Sequence, residues 1–428
     1  MFHYFEGIDL IIYVEHISER LIYTFDFIFK AQDISYHLTN DLNHFLKCDE
    51  TKFNYSSYPS DDFLSLSPAE LLFDETIQVQ KLSKSAFESI ECLSFNQITD
   101  PIASIFYVLT RYEEYLEFTP DEHERFRATQ SVQYKYGWLN QLICDRWAKA
   151  IIDFLHKNNV VDKPFTKSAT QIIPTFDIDN SFAYLHKNGW RRIVSTAKDL
   201  LKRDKKRLQE RKDVLDGKTT DPYDTFSYIE SIAKGGFAVR LFWHLGDYAK
   251  FDKNLSYLSE PHRQLIQRMS DTCQIGIHPS YASNSNFFLL NVETKRLQEI
   301  VKKPITTARQ HFLKLRFPET YTNYLAAGIE DDYTLGFAQK IGFRAGTLRA
   351  HNWFNLKNNT RTTLTLHPFA YMDGTLLEYE KMTVTEAKNK VEALYKETIK
   401  FGGDFIFLWH NETINDYKHW KGWTEVLE

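Results

Sequence analysis

Gln171-Ile172-Ile173-Pro174-Thr175-Phe176-Asp177-Ile178-Asp179-Asn180 is the stretch whose reading decides the fold class of this chain. A short apolar run reads as a buried strand, and it ends in two carboxylates separated by one residue. Alternation along an extended chain turns Asp177 and Asp179 to the same side. Two like charges that close are costly unless a cation sits between them or one carries a proton. The bland reading is an Asx-rich turn capping the next helix, with Asn180 or Ser181 as N-cap. The later chain argues against it, because several further apolar runs also end in His or Arg.

Those runs lie at 237–243, 273–277, 305–308, 342–345, 364–366 and 405–409, most of them separated by ten or more residues of helical or loop pattern. With the opening stretch they make seven strand candidates, and parallel crossovers are the economical connection. The expected fold is α/β: a distorted (β/α) barrel of about seven strands over 166–428, preceded by a smaller α/β domain over 1–165. The residues after each run are Asp177 and Asp179, His244 and Asp247, His278-Pro279-Ser280, Arg309-Gln310-His311, Arg344, His367 and Asp373, and His410-Asn411-Glu412. In a β/α barrel the carboxyl ends of the strands converge on one mouth, where catalytic groups collect. A lone His at a strand end is more often a structural hydrogen-bonder. The inference rests on their number.

The first 165 residues carry their own pattern. Leu10 to Val14 reads as a buried strand, and Ser18-Glu19-Arg20 opens a helix with Leu21, Phe25, Ile28 and Phe29 on one face. Asp100-Pro101 starts a second helix with a predicted stripe of Ile102, Ile105, Phe106, Leu109, Tyr112 and Leu116. Residues 138–155 form a third. The polar segment 119–126 between them reads as a solvated loop, since no periodicity presents its Glu and His on one face. The linker 157–164 marks the boundary. Beyond it, 190–212 reads as an amphipathic helix, apolar at Trp190, Ile193, Val194, Ala197, Leu200 and Leu201. Its basic end, Lys202 to Lys212, reads as a solvated face, with a landing site for a phosphate-bearing substrate as the alternative.

Composition narrows the function classes. A chain of 428 residues with 43% hydrophobic content can fill more than one core. A formal charge of -5 leaves no footprint for nucleic acid or an anionic membrane. Cys48, Cys92, Cys144 and Cys273 form no CxxC pair and read as reduced thiols. The start, Met1 to Glu6, lacks the pattern of a signal peptide, and no apolar run reaches the roughly 18 residues of a membrane helix. The expected setting is cytoplasmic.

Thr175-Phe176-Asp177-Ile178-Asp179 resembles the first motif of the polysaccharide deacetylases (carbohydrate esterase family 4). Gly276-Ile277-His278-Pro279-Ser280, Arg309-Gln310-His311 and Phe407-Leu408-Trp409-His410 follow in that family's order, as its metal-ligand, arginine and closing histidine motifs. The whole chain resembles a two-domain subgroup, in which Leu109 to Tyr115 and Asp121-Glu122-His123 are similar to the front domain. The resemblance implies a metal-dependent hydrolase that removes acetyl groups from an acetylated sugar or polysaccharide precursor. Asp177 would be the general base, Arg309 would orient it and keep it ionised, and His410 would protonate the leaving group. Asp179 and His278 would hold a divalent metal, most readily zinc. The family's second metal histidine falls on Ala282, so His311 is the expected replacement. Ser280, Arg344, Asp373 and Trp409 are the expected substrate contacts. In a cytoplasmic setting the substrate would be a nucleotide- or lipid-linked acetamido sugar, with no nucleic acid partner and no transmembrane segment. Two other readings stay open: a hydrolase of the same fold acting on a non-sugar amide, with or without metal, and a catalytically silent carbohydrate-binding protein.

Overall fold

The computed structural model describes residues 10–187 and 203–428, with positions 189, 197 and 201 between them. The readings made on Met1 to Glu6 and on Trp190, Ile193, Val194, Leu200 and Lys202 lie outside the described residues.

The chain begins with a parallel sheet of Leu10–Tyr13 (β1), Tyr36–Thr39 (β2), Thr51–Tyr55 (β3) and Ser65–Leu66 (β4), in the order β2-β1-β3-β4. The helix Glu19–Phe29 starts where Ser18 accepts a hydrogen bond from the Leu21 amide, and it buries Leu21, Phe25, Ile28 and Phe29 as the spacing predicts. Leu82–Phe87 (β5), Ile90–Phe95 (β6) and Ile98–Thr99 (β7) form a small antiparallel sheet.

The helix Pro101–Leu109 is capped by Asp100, whose Oδ1 accepts from the amides of Ile102 and Ala103 at 2.9 and 3.0 Å. All of its residues are buried, so it is not the amphipathic stripe predicted. It ends before Tyr112 because Arg111 takes a left-handed φ of 56° and a 3-10 turn, Tyr112–Tyr115, follows. That turn carries a buried charge cluster. Glu114 receives Arg111 Nε at 2.8 Å and Arg344 Nε at 2.9 Å, while Arg344 Nη1 donates to the Gly336 carbonyl at 2.9 Å. Burial alone would raise the Glu114 carboxyl, but Arg344 and Arg111 outweigh it and hold it below the usual range.

Its contribution to stability is therefore full above the unfolded value near 4.3 and lost as pH falls through the lower folded value. Glu114→Ala strands the Arg344 guanidinium in the interior, leaves Arg111 with the Glu113 carboxylate alone, and is expected to destabilise the fold by about 3–5 kcal/mol in urea unfolding. A loss below about 1 kcal/mol would mean that the cluster behaves like an exposed pair.

The large sheet contains nine strands: Thr170–Ile178 (β8), Arg240–Trp243 (β9), Gln274–Ile277 (β10), Thr307–Ala308 (β11), Asp331–Asp332 (β12), His351–Asn355 (β13), Thr360–Leu366 (β14), Tyr371–Met372 (β15) and Gly403–His410 (β16). Their order is β13-β14-β12-β11-β10-β9-β8-β16-β15, and every pairing except β13 with β14 is parallel. Among the described residues β13 and β15 are unpaired edges, so the observed architecture is mixed α/β with a large open sheet. The predicted closure of about seven strands into a barrel is not among these pairings.

Two differences from the predicted strands have clear causes. Residues 342–345 form turns, because their backbone groups bond elsewhere: the Phe343 amide to the Leu139 carbonyl at 2.8 Å, and the Phe343 carbonyl to Gln133 Nε2 at 2.7 Å. The β13–β14 hairpin, read only in part from the sequence, is clasped by the amino-terminal part. Tyr23 Oη donates to the Asn352 carbonyl at 2.7 Å, Arg20 Nε donates to Asn359 Oδ1 at 2.7 Å, and Phe354 packs on Tyr23 and Phe106.

Side chains divide by sheet face. Ile173, Phe242, Leu313, Phe369, Met372, Ile406 and Leu408 form one small apolar cluster, while Phe176, Ile178, Trp243, Ile277 and Trp409 belong to the large core on the other side. Alternation along β8 and β16 thus puts Asp177 and His410 in line with the small cluster. In the basic stretch, the described helix Lys205–Leu215 is capped by Asp204, and Arg211 is buried over the Tyr184 ring. Among the described residues no helix is long and apolar enough to cross a membrane.

Candidate active site

The register of the sheet assembles the site. His410 lies opposite Asp177, Ile178 opposite Trp243, Trp243 opposite Ile277, and Ile277 opposite Ala308. Asp177, Asp179, His244, His278 and Arg309 therefore emerge side by side at the carboxyl ends of parallel strands.

Asp177 is buried, with Oδ1 at 3.0 Å from Arg309 Nη1 and Oδ2 at 3.6 Å from His278 Nε2. Arg309 is fixed from behind by Thr175 Oγ1 at 2.8 Å and by the Tyr333 carbonyl, which accepts from its Nε at 2.8 Å. Asp179 Oδ1 lies 3.2 Å from His278 Nε2 and 3.5 Å from His311 Nε2, and its Oδ2 lies 3.9 Å from His410 Nε2. His278 Nδ1 donates to the Arg309 carbonyl at 2.5 Å, which leaves Nε2 with a free lone pair. His410 is anchored by Asp373: Oδ1 accepts from Nδ1 at 2.9 Å, and Oδ2 accepts from the His410 amide at 2.8 Å.

The charges follow from these contacts. Burial opposes ionisation of Asp179, but His311, His278 and His410 override it and hold the carboxyl well below the usual carboxylate range. Burial would lower His410, yet Asp373 first and then Asp179 and Asp177 raise it well above an ordinary imidazole. His311 works against burial too and is pushed up to about 9 by Asp179 and Asp252. His244 is pushed down to about 3 by burial and by its neighbours His311 and His278.

The donor set fits a divalent cation. Asp179 Oδ1 is buried and takes no well-aligned hydrogen bond among the described residues, although two imidazole nitrogens face it. The ligand atoms of Asp179, His278 and His311 all lie within 4.8 Å of one another. One carboxylate and two imidazoles suit zinc and tolerate other divalent ions.

Asp177, Asp179, His278, His311, Asp373 and His410 all line one cavity of about 220 Å³, with Met372, Tyr379 and Trp420 among its other walls. The other expected contacts, Ser280, Arg344 and Trp409, lie elsewhere, as do the strand-end residues Asp247 and His367. Ser280 is buried and donates from Oγ to Glu293 at 2.6 Å. Arg344 belongs to the Glu114 cluster, and Trp409 faces the large core because it alternates with His410. Asp247 is an exposed surface partner of Arg296, and His367 bonds Asp331 at 2.8 Å. None of these five lines the cavity.

Two participants escape the sequence reading, and a third, Glu412, stands in it only as a strand-end residue without a role. Asp252 accepts from His311 Nδ1 at 3.0 Å, but it lies in a loop with no strand-end position to mark it. Glu412 lines the cavity just beyond the closing histidine. Arg125 comes from the segment expected to be a solvated loop, in which Asp121, Arg125 and Phe126 are in fact buried. Its guanidinium bonds Asp121 Oδ2 at 2.7 Å and the Phe312 carbonyl at 2.8 Å, and it lines the cavity. The contact is tertiary, so no local pattern announces it.

Residues 10–160 match a family of unknown function (DUF7033). Comparison with curated proteins gives no match. Among solved structures the chain is similar to a Mycobacterium smegmatis protein described as a candidate polysaccharide deacetylase, at 13% identity and a TM-score of 0.39, covering 62% of this chain and 84% of that one. It is also similar to a family 4 carbohydrate esterase from Streptomyces lividans, solved with acetate, at 7% identity and a TM-score of 0.27 over 57% and 81% of the two chains. A third is a de-N-acetylase from Aggregatibacter actinomycetemcomitans, at 13% identity and a TM-score of 0.21 over 40% and 89%. At these values the likenesses carry no argument about chemistry, which rests on the geometry above.

Proposed function

We propose that this chain hydrolyses an acetyl group from an acetylated sugar, using a divalent metal held by Asp179, His278 and His311. The observation that carries the reading is the placement of a carboxylate and an imidazole, each held by its own buried partner, in one cavity: Asp177 beside Arg309, and His410 beside Asp373. When bound, the metal supplies Lewis-acid polarisation of the acetyl carbonyl and acidifies water. Asp177 takes the proton from the attacking water, and Arg309 holds the carboxylate in position. His410 carries a proton on Nε2 while Nδ1 is tied to Asp373, and it passes the Nε2 proton to the leaving nitrogen or oxygen as the acyl bond breaks. Tyr379, Trp420 and Met372 give the sugar an apolar and aromatic surface.

The same proposal divides the chain into a front domain, 1–165, and a catalytic domain, 166–428, with Arg125 carrying the front domain into the cavity wall. The test is acetate release from a panel of acetylated sugars, sugar nucleotides and lipid-linked sugars, with zinc-loaded and chelator-treated protein. Release that requires the metal is expected. Fully zinc-loaded protein that frees no acetate from any of them would sink the reading.

A further inference from the structure

We infer that Asp252 is the positioning residue of His311: it holds the imidazole by Nδ1 and so turns Nε2 toward Asp179 and His278. The inference rests on the metal reading above.

An imidazole can bind a cation through either nitrogen, and the partner of the other nitrogen decides which. His278 has its Nδ1 tied to the Arg309 carbonyl. His311 has the same arrangement with a stronger acceptor, since Asp252 Oδ1 takes its Nδ1 proton at 3.0 Å while Nε2 stands 3.5 Å from Asp179 Oδ1. A carboxylate in this place fixes the tautomer and raises the basicity of the ligating nitrogen.

Both ends of the contact are held rigidly. Asp252 is buried, and its Oδ1 also accepts from the Tyr281 amide at 2.9 Å. Its neighbour Phe251 packs against Tyr281 in a tilted arrangement, with ring centroids 4.4 Å apart, and meets Phe312 at 5.5 Å. Phe312 has a left-handed φ of 61°, a conformation that costs a bulky residue energy and persists only where its surroundings impose it. Arg125 supplies part of that restraint through the Phe312 carbonyl, so the front loop steadies the turn that carries His311. His244 closes the far side. Its Nδ1 donates to the His278 carbonyl at 3.1 Å, and its Nε2 lies 3.3 Å from Asp252 Oδ1 without a hydrogen bond among the described residues.

The experiment measures zinc affinity by competition with a chromogenic chelator for the full chain and for Asp252→Asn, Asp252→Ala, His311→Ala and the Asp252→Ala/His311→Ala double variant. Asp252→Asn keeps an oxygen for the Tyr281 amide, so it carries the test if the alanine variant does not fold; thermal unfolding of the metal-free proteins is the control. Loss of the carboxylate is expected to weaken zinc binding by about 10–100-fold. The double variant should bind no more weakly than His311→Ala alone, because Asp252 acts through that ring. Full affinity in both Asp252 variants beside a weakened His311→Ala would overturn the inference and leave the metal reading standing. Unaltered affinity in His311→Ala would remove His311 from the ligand set and end both. Additive losses in the double variant would make Asp252 an independent contributor. A second zinc equivalent, lost on replacing Asp252 or His244 with glutamine, would place a cation between those two side chains and overturn the positioning role.

Discussion

Asp177→Asn is expected to cut turnover by on the order of a hundredfold or more while the protein stays folded. Asparagine preserves the shape of the side chain and an oxygen for Arg309, so the buried guanidinium keeps an acceptor. What it removes is the ability to take a proton from water. His410→Ala should cause a loss of similar size from the neighbouring strand end, because the leaving group then departs without its proton. The two losses should not multiply in the double variant if both residues serve the same transition state. Near-normal turnover in either single variant would show that the acid and base are misassigned. Circular dichroism and thermal unfolding separate a chemical defect from a folding one.

His278→Ala and Asp179→Ala should abolish stoichiometric zinc binding and with it the metal-dependent share of activity. A ligand that binds only the folded state stabilises it by about 2.7 kcal/mol at a hundredfold excess over its Kd. Zinc should therefore raise the melting temperature of the wild-type protein and leave that of either variant unmoved. His278 is the sharper of the two replacements. Its Nε2 faces both Asp177 and Asp179, so its loss removes the nitrogen that stands between the two carboxylates. If zinc still raised the melting temperature of His278→Ala as much as that of the wild type, the ion would have to bind elsewhere.

The strand Thr170–Ile178 was legible because its apolar run is long and ends abruptly in charge. Runs ending at Trp243, Ile277 and His410 were legible for the same reason. The two-residue strands Asp331–Asp332 and Tyr371–Met372 were not, since a pair of residues has no periodicity to read. Residues 342–345 have strand composition but turn geometry. The Phe343 amide and carbonyl are satisfied by Leu139 and Gln133, far away in the chain, and local preference yields to those bonds.

By itself the sequence determined that Asp177 and Asp179 share a face and that His278, Arg309 and His410 follow strands, because alternation and buried runs are local properties of the chain. Only the tertiary structure decided which of the strand-end groups meet. Parallel register brought Asp177 level with His410, whereas Asp247 stayed at the surface and Arg344 turned to Glu114. It also brought in Asp252 and Arg125 from loops, where no repeat marks a functional position. The physical reason is that a buried charge takes the partner that folding places within hydrogen-bonding distance, and that distance is set by contacts between segments remote in the chain.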